Sequence, residues 1–263
     1  ANTLFMPKAD QILVEALLTN AFDDELGMAS EDEFAAVFTE VQAGDDPIER
    51  FGARRRWELL RSQQDSLEQA KERAGLIFDD WSLRWRADDL TPVGELILAR
   101  QSQFELMNVA RFAAIDAAIH DMGGLFAKRD RVMMEVNATA TAAGLAAYYK
   151  HRGKYPPELR VAFGVGIDKK SIHDRHANMA EGSRPWLRYR YLNKAQFIDI
   201  GTVRVKLPAG TGLLYSTCLN GVDDAGRLHV DERGRGDLIV WPPPRELLRM
   251  AEQGEASDGG PAS

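Results

Sequence analysis

Cysteine is nearly absent: Cys218 is the only one in 263 residues. A lone thiol excludes an internal disulfide and a cysteine-based zinc cluster. No run of about 18 apolar residues occurs, so the sequence contains no candidate membrane-spanning helix. The most apolar long stretch, from Val132 to Tyr149, is interrupted by Glu135, Asn137, Thr139 and Thr141. Excess positive charge is missing as well, with 33 Lys and Arg against 40 Asp and Glu, a net of −7. That balance argues against general nucleic-acid binding. No signal-peptide pattern and no internal repeat are found. The first residue is Ala1, which is read as a mature or trimmed chain whose targeting segment or membrane anchor stood upstream.

What is present is an ordinary globular composition, 44% hydrophobic and 28% charged. It excludes collagen-like, disulfide-scaffold and wholly disordered classes. Charge is unevenly distributed. Residues 1–50 hold two basic and twelve acidic residues, a net of −10, whereas residues 128–210 hold sixteen basic and seven acidic, a net of +9. Such asymmetry can steer a partner, pair the two regions, or simply mark solvated faces.

The first 150 or so residues carry helical signals. Asp10 is placed to cap a helix bearing Ile12, Leu13, Leu17 and Leu18. Ser30-Glu31-Asp32-Glu33 has capping-box spacing ahead of Phe34, Val37, Phe38 and Val41. Asp46-Pro47 starts a third helix, expected to run to Gly75, and Thr91-Pro92 starts a fourth, expected to reach Met122-Gly123-Gly124. A last long helix is expected from about Arg129 to Arg152, lined by Ala138, Ala142, Ala143, Gly144, Ala146 and Ala147. Gly153 suits the left-handed position after a helix, and Pro156-Pro157 forbid continuation.

Beyond Pro157 the runs become short and β-like: Val161–Val165, Leu187–Leu192, Phe197–Ile200, Val203–Leu207, Leu213–Ser216 and Leu238–Trp241. Pro242-Pro243-Pro244 stops the last, and a short helix is expected over Arg245–Gln253. Helices first and antiparallel strands afterwards define an α+β class. The expected organisation is a helical region over residues 1–128, a long helix packed against a small antiparallel sheet over 129–253, and a polar, disordered tail over 254–263.

Three segments carry a family resemblance. Leu145 to Pro156, with its Tyr148-Tyr149-Lys150-His151-Arg152-Gly153-Lys154-Tyr155-Pro156 ending, resembles the end of the spine helix in major pseudopilins of type II secretion. Leu214 to Asp224 resembles that family's Tyr-Ser-x-Gly-x-Asp-Gly strand and loop, and Gly236 to Trp241 its closing acidic strand. The same features behind a longer helical region resemble planctomycete-type envelope proteins. The resemblance implies a pilin-like module, a periplasmic or envelope location (the alternative being cytoplasmic), and protein partners or self-assembly without enzymatic activity. It implies a calcium-binding loop as well, to which Asn220, Asp223, Asp224 and Asp237 would bring oxygen ligands, with Asp231 nearby. The departures are equally specific. About 130 soluble residues stand where the family has a membrane half-helix, Cys218 stands at the family's glycine, and Asn220 stands at its aspartate.

Other candidates are weighed from the residues alone. The aspartates around residue 220 equally suit an ordinary polar hairpin. His173 and His176, three apart, have spacing for a zinc site, with Asp168 or His151 as further ligands. A metal-dependent hydrolase using this segment is therefore the alternative function. Asp174 and Glu181 stand close by as carboxylates able to act as acid and base. Gly164-Val165-Gly166 is only half of a dinucleotide fingerprint. Trp81 and Trp85, four apart, form either core or a partner-binding stripe. Cys218 has no adjacent histidine to activate it and reads as a packed residue.

Overall fold

The structure is a computed structural model that describes residues 6, 8–23, 25–88, 90–119, 122–177, 186–200, 203–218, 222–226 and 236–258. The chain divides into two compact units, Ala1–Phe126 and Ala127–Ser263. As expected from sequence, the class is α+β, with helices first and small antiparallel sheets after them.

The first unit is helical: α1 (Ala9–Ala21), α2 (Glu31–Gln42), α3 (Pro47–Arg61), α4 (Leu67–Arg86), α5 (Pro92–Ala99) and α6 (Ala113–Ala118). The Asp46-Pro47 signal works as read, with Asp46 Oδ1 accepting the Ile48 N–H at 2.8 Å. Ser30 precedes α2 without a side-chain cap bond, so three acids in the first turn take over the stabilisation of that helix end. The single helix expected from Pro47 to Gly75 is two. It breaks at Ser62–Ser66, because Ser66 and Gln69 form a reciprocal capping box that restarts the chain as α4. The helix expected from Pro92 to Met122 also breaks. Asn108 Oδ1 accepts the N–H groups of Ala110 (3.0 Å) and Arg111 (3.2 Å), which holds a turn where a helix would need them free.

Its core is aromatic. Phe34 lies 5.2 Å from Phe38 and 6.0 Å from Trp57, ring centre to ring centre. Trp81 and Trp85 are both buried, against Phe78 and Phe104 and against Phe126 respectively. They belong to the core and not to an exposed stripe.

The second unit is built on α7 (Met122–Arg152), which starts seven residues ahead of the expected Arg129. Gly153 ends it at φ +70°, donating its N–H to Tyr149 O at 2.7 Å. The run Val161–Val165 is not a strand. A 3₁₀ turn occupies Leu159–Ala162, and Gly164 and Gly166 sit at φ +79° and +135°, where a strand cannot continue. Gly144 permits this loop to touch α7: a Cβ there would lie 2.7 Å from Gly166 O.

Strands β1 (Arg188–Tyr191), β4 (Gly212–Ser216) and β5 (Leu238–Trp241) form an antiparallel sheet in the order β1-β4-β5. Strands β2 (Gln196–Ile200) and β3 (Val203–Leu207) form a separate hairpin. Helix α8 spans Pro244–Asp258, passing the expected end at Gln253. The pleat sorts side chains into two cores. Leu214, Leu238 and Val240 join Met134, Ala138, Ala142, Leu145 and Tyr148 of α7. Leu213, Tyr215 and Ile239 join the hairpin and α8 through Ile198, Val205, Leu207 and Leu247. The sheet is thus covered on both sides, and β4 is buried along its whole length. Aromatic side chains fasten the reversal after Gly153. Tyr155 lies against Tyr149 with ring centres 4.6 Å apart and accepts the Trp241 Nε1–H at 3.1 Å, while Tyr189 donates its hydroxyl to Pro156 O at 2.7 Å.

Candidate functional site

Buried polar groups gather at the end of β4. Ser216 and Thr217 are buried there, as are Asp237, one residue before β5, and Asp174, two residues past the Lys169–Ile172 turn. Unpaired buried polar atoms cost about 1–3 kcal/mol each, so such a cluster calls for a reason.

One half of it is the loop leaving β4. Cys218 takes φ +52°, the left-handed region that a glycine enters without penalty, and its N–H donates to Ser216 Oγ at 3.0 Å. Asp223 Oδ1 accepts from the Tyr215 hydroxyl and from the Ala225 N–H, both at 2.9 Å. Gly226, at φ +79°, donates its N–H to Asp237 Oδ2 at 2.7 Å, and Arg190 holds the neighbouring Ala225 carbonyl at 3.2 Å. Asp237 Oδ1 is buried with no hydrogen-bond partner among the described residues. Burial pushes the Asp237 carboxyl up to about 7; the Gly226 N–H opposes the shift, and the charges of Asp223 and Asp224 add to it. Burial likewise raises the Tyr215 hydroxyl, helped by its bond to Asp223. Three of the four expected calcium ligands, Asp223, Asp224 and Asp237, therefore share one electrostatic neighbourhood. Asn220 and Asp231 lie outside the described residues.

These groups suit a hard cation in atom type and charge: a buried carboxylate oxygen lacking a donor, with two further carboxylates beside it. They fall short in number. Among the described residues no three His, Cys, Asp or Glu side chains converge as a metal cage, and the remaining oxygens would have to come from elsewhere.

The other half is Asp174. Its Oδ1 accepts the His176 N–H at 3.1 Å, and its Oδ2 is buried with no hydrogen-bond partner among the described residues. Burial raises this carboxyl; the Ser216 hydroxyl and the His176 N–H partly offset that. Burial lowers His176, against the pull of Asp174, which keeps the imidazole neutral at pH 7. The Cys218 thiol is raised first by burial, with the charges of Asp174 and Asp237 adding to it, so it stays protonated and is a poor nucleophile.

Among the described residues the expected zinc ligands do not gather as a group of three. His173 is buried with its ring 6.1 Å from Trp186, and its carbonyl accepts from Asn137 of α7 at 3.0 Å. Asp168 caps the following turn through the Lys170 N–H at 3.0 Å. His151 is exposed in the last turn of α7. Glu181 lies outside the described residues. Sequence reasoning did not find Ser216, Thr217 or Arg190, because their importance comes from burial and from loop closure across the chain. No family model, curated protein or solved structure matches this chain.

Proposed function

We propose that this is a non-enzymatic envelope protein that acts through protein–protein interaction or assembly. Its second unit serves as a pilin-like module linked to a secretion or pilus-like apparatus. One observation carries the reading. Helix α7 bears the sheet on one face and leaves Val132, Val136, Ala140, Ala143 and Ala147 exposed. Their three- and four-residue spacing makes one continuous stripe. Small and β-branched residues let a second helix come close, as packing along a shared rod requires. Cys218 adds support, since its left-handed backbone occupies the position of the family's glycine.

The test is site-specific photo-crosslinking in the cells that make the protein. A crosslinker at Ala143 is expected to yield discrete adducts that Ala140→Glu abolishes, while one at Lys194, exposed beyond β1, yields none. Adducts absent from Ala143, or equal at both positions, would overturn the assembly role.

The β4–β5 loop is the proposed calcium site, with Asp237 as its buried ligand and Asp223 and Asp224 as neighbouring carboxylates that binding would draw in. Calcium would tie the loop arms together and supply the counter-charge that Asp237 lacks. Adding calcium after exhaustive chelation is expected to raise the melting temperature, and Asp237→Ala to remove that response. An unchanged melting temperature would return the loop to the status of a plain hairpin.

A further inference from the structure

The helical unit carries two complementary surfaces that its own fold leaves open. Helix α3 buries Ala53 and Trp57 and turns its opposite side to solvent, where Ile48, Phe51 and Leu59 stand 81%, 74% and 60% exposed. Positions 48, 51, 55 and 59 share one helical face, so Arg55 lies within the apolar strip and Arg56 beside it. A single exposed leucine needs no explanation, but an aligned isoleucine, phenylalanine and leucine form a patch. Among the described residues Arg55 is held only by a surface pair with Glu58 at 3.4 Å, which a new partner displaces at little cost.

The second surface is a cavity of about 550 Å³ between the end of α1, the turn that follows it, and α2. Phe22, Ala36 and Val37 give it an apolar lining, and Asp23, Glu25 and Glu33 give it acid. Phe51 matches that lining, and Arg55 and Arg56 match the carboxylates.

We propose that the α3 strip of one copy of this chain docks in the acidic α1–α2 cavity of a second copy. An anionic membrane is the poorer occupant, because residues 1–50 carry a net charge of −10 that such a surface repels. Each copy owns both surfaces, so strip-to-cavity pairing can occur twice about a two-fold axis and close as a dimer. This contact lies wholly in the helical unit and does not depend on the pilin-like reading of the other.

Sedimentation equilibrium of the full chain tests it. A concentration-dependent dimer is expected that weakens with salt. Phe51→Asp is expected to raise the dimer Kd roughly tenfold or more, with circular dichroism unchanged, and Leu59→Asp is a second variant of the same strip. The decisive arm is a charge exchange. Arg55→Glu/Arg56→Glu and Glu25→Lys/Glu33→Lys should each be monomeric alone and form a heterodimer when mixed. A monomer at every concentration reached overturns the proposal. So does a dimer indifferent to Phe51→Asp, or a mixture that fails to pair. Strip-dependent binding to phosphatidylglycerol vesicles by a chain that stays monomeric would overturn it in favour of a membrane.

Discussion

The two units bury different things. Of the seven polar side chains buried among the described residues, Ser102 alone belongs to the helical unit; Thr141, His173, Asp174, Ser216, Thr217 and Asp237 all belong to the sheet unit. The helical core is aromatic and aliphatic, and its stability follows from area and close packing. The sheet unit retains two carboxyls, Asp174 and Asp237, whose raised pKa values lower its stability as pH rises to neutral. Of its six buried polar side chains, Ser216, Thr217 and Asp237 stand where the chain leaves β4 and enters β5.

The comparison breaks most sharply at Phe34. This side chain is fully buried and touches Phe22, Phe38 and Trp57. Phe34→Ala should cost about 3–5 kcal/mol. Hydrogen exchange should show lost protection in α1, α2 and α3, with β4 and β5 unaffected. Equal loss in both units would mean that the two cores fold as one.

Gly144 gives the next largest effect, now in the sheet unit. A Cβ at this position meets backbone, 2.7 Å from Gly166 O, as well as Ile167 Cγ1 at 2.4 Å. Backbone cannot rotate away as a side-chain tip can, so Gly144→Ala should destabilise by roughly 1–3 kcal/mol. Gly75, whose added Cβ would meet nothing within 4 Å, is the control on α4. Gly75→Ala should be neutral or stabilising by up to about 1 kcal/mol in the same denaturant titration.

Much of this architecture was legible in local signals. Asp46-Pro47 starts α3, Gly153 ends α7, and the alternation of Val203 to Leu207 forms β3 with Val205 and Leu207 inward. What was hidden depended on competition between signals. Ser66 with Gln69 outbid a continuous helix only because both side chains reach each other's backbone. Val161 to Val165 has strand composition, yet two left-handed glycines close by convert it to a turn. The site was less legible still. Asp223, Asp224 and Asp237 were reached through a resemblance, since aspartates in a loop look alike whether they bind an ion or only turn. Nothing local marks Asp174 as buried, because its burial depends on the long-range pairing of His173 with Trp186 and on Ser216 at the end of β4.

The subtlest effect is a slope, and it tests why the sheet unit keeps its carboxyls. Asp237 is raised from its ordinary 3.8 to about 7, and Asp174 is raised in the same direction. A carboxyl with a raised pKa holds its proton in the fold after the unfolded chain has released it. The native state then binds more protons than the unfolded state, and stability must fall as pH rises between about 4 and 7. In chelator, this contribution should be fully present below the unfolded pKa and lost by the time pH passes 7. Asp237→Asn keeps an acceptor for the Gly226 N–H and removes the charge, so the slope should shrink and stability at pH 7.5 should rise. What remains is the fall from Asp174 set against the opposite contribution of His176, whose lowered pKa makes stability rise as the unfolded imidazole loses its proton. With calcium present the order should invert at pH 7.5, the wild-type chain becoming the more stable, because a cation converts the buried charge from a penalty into a ligand. A slope unchanged by Asp237→Asn would mean that Asp237 is solvated in solution, and that Asp174 is the one buried carboxyl by which the sheet unit differs from the helical one among the described residues.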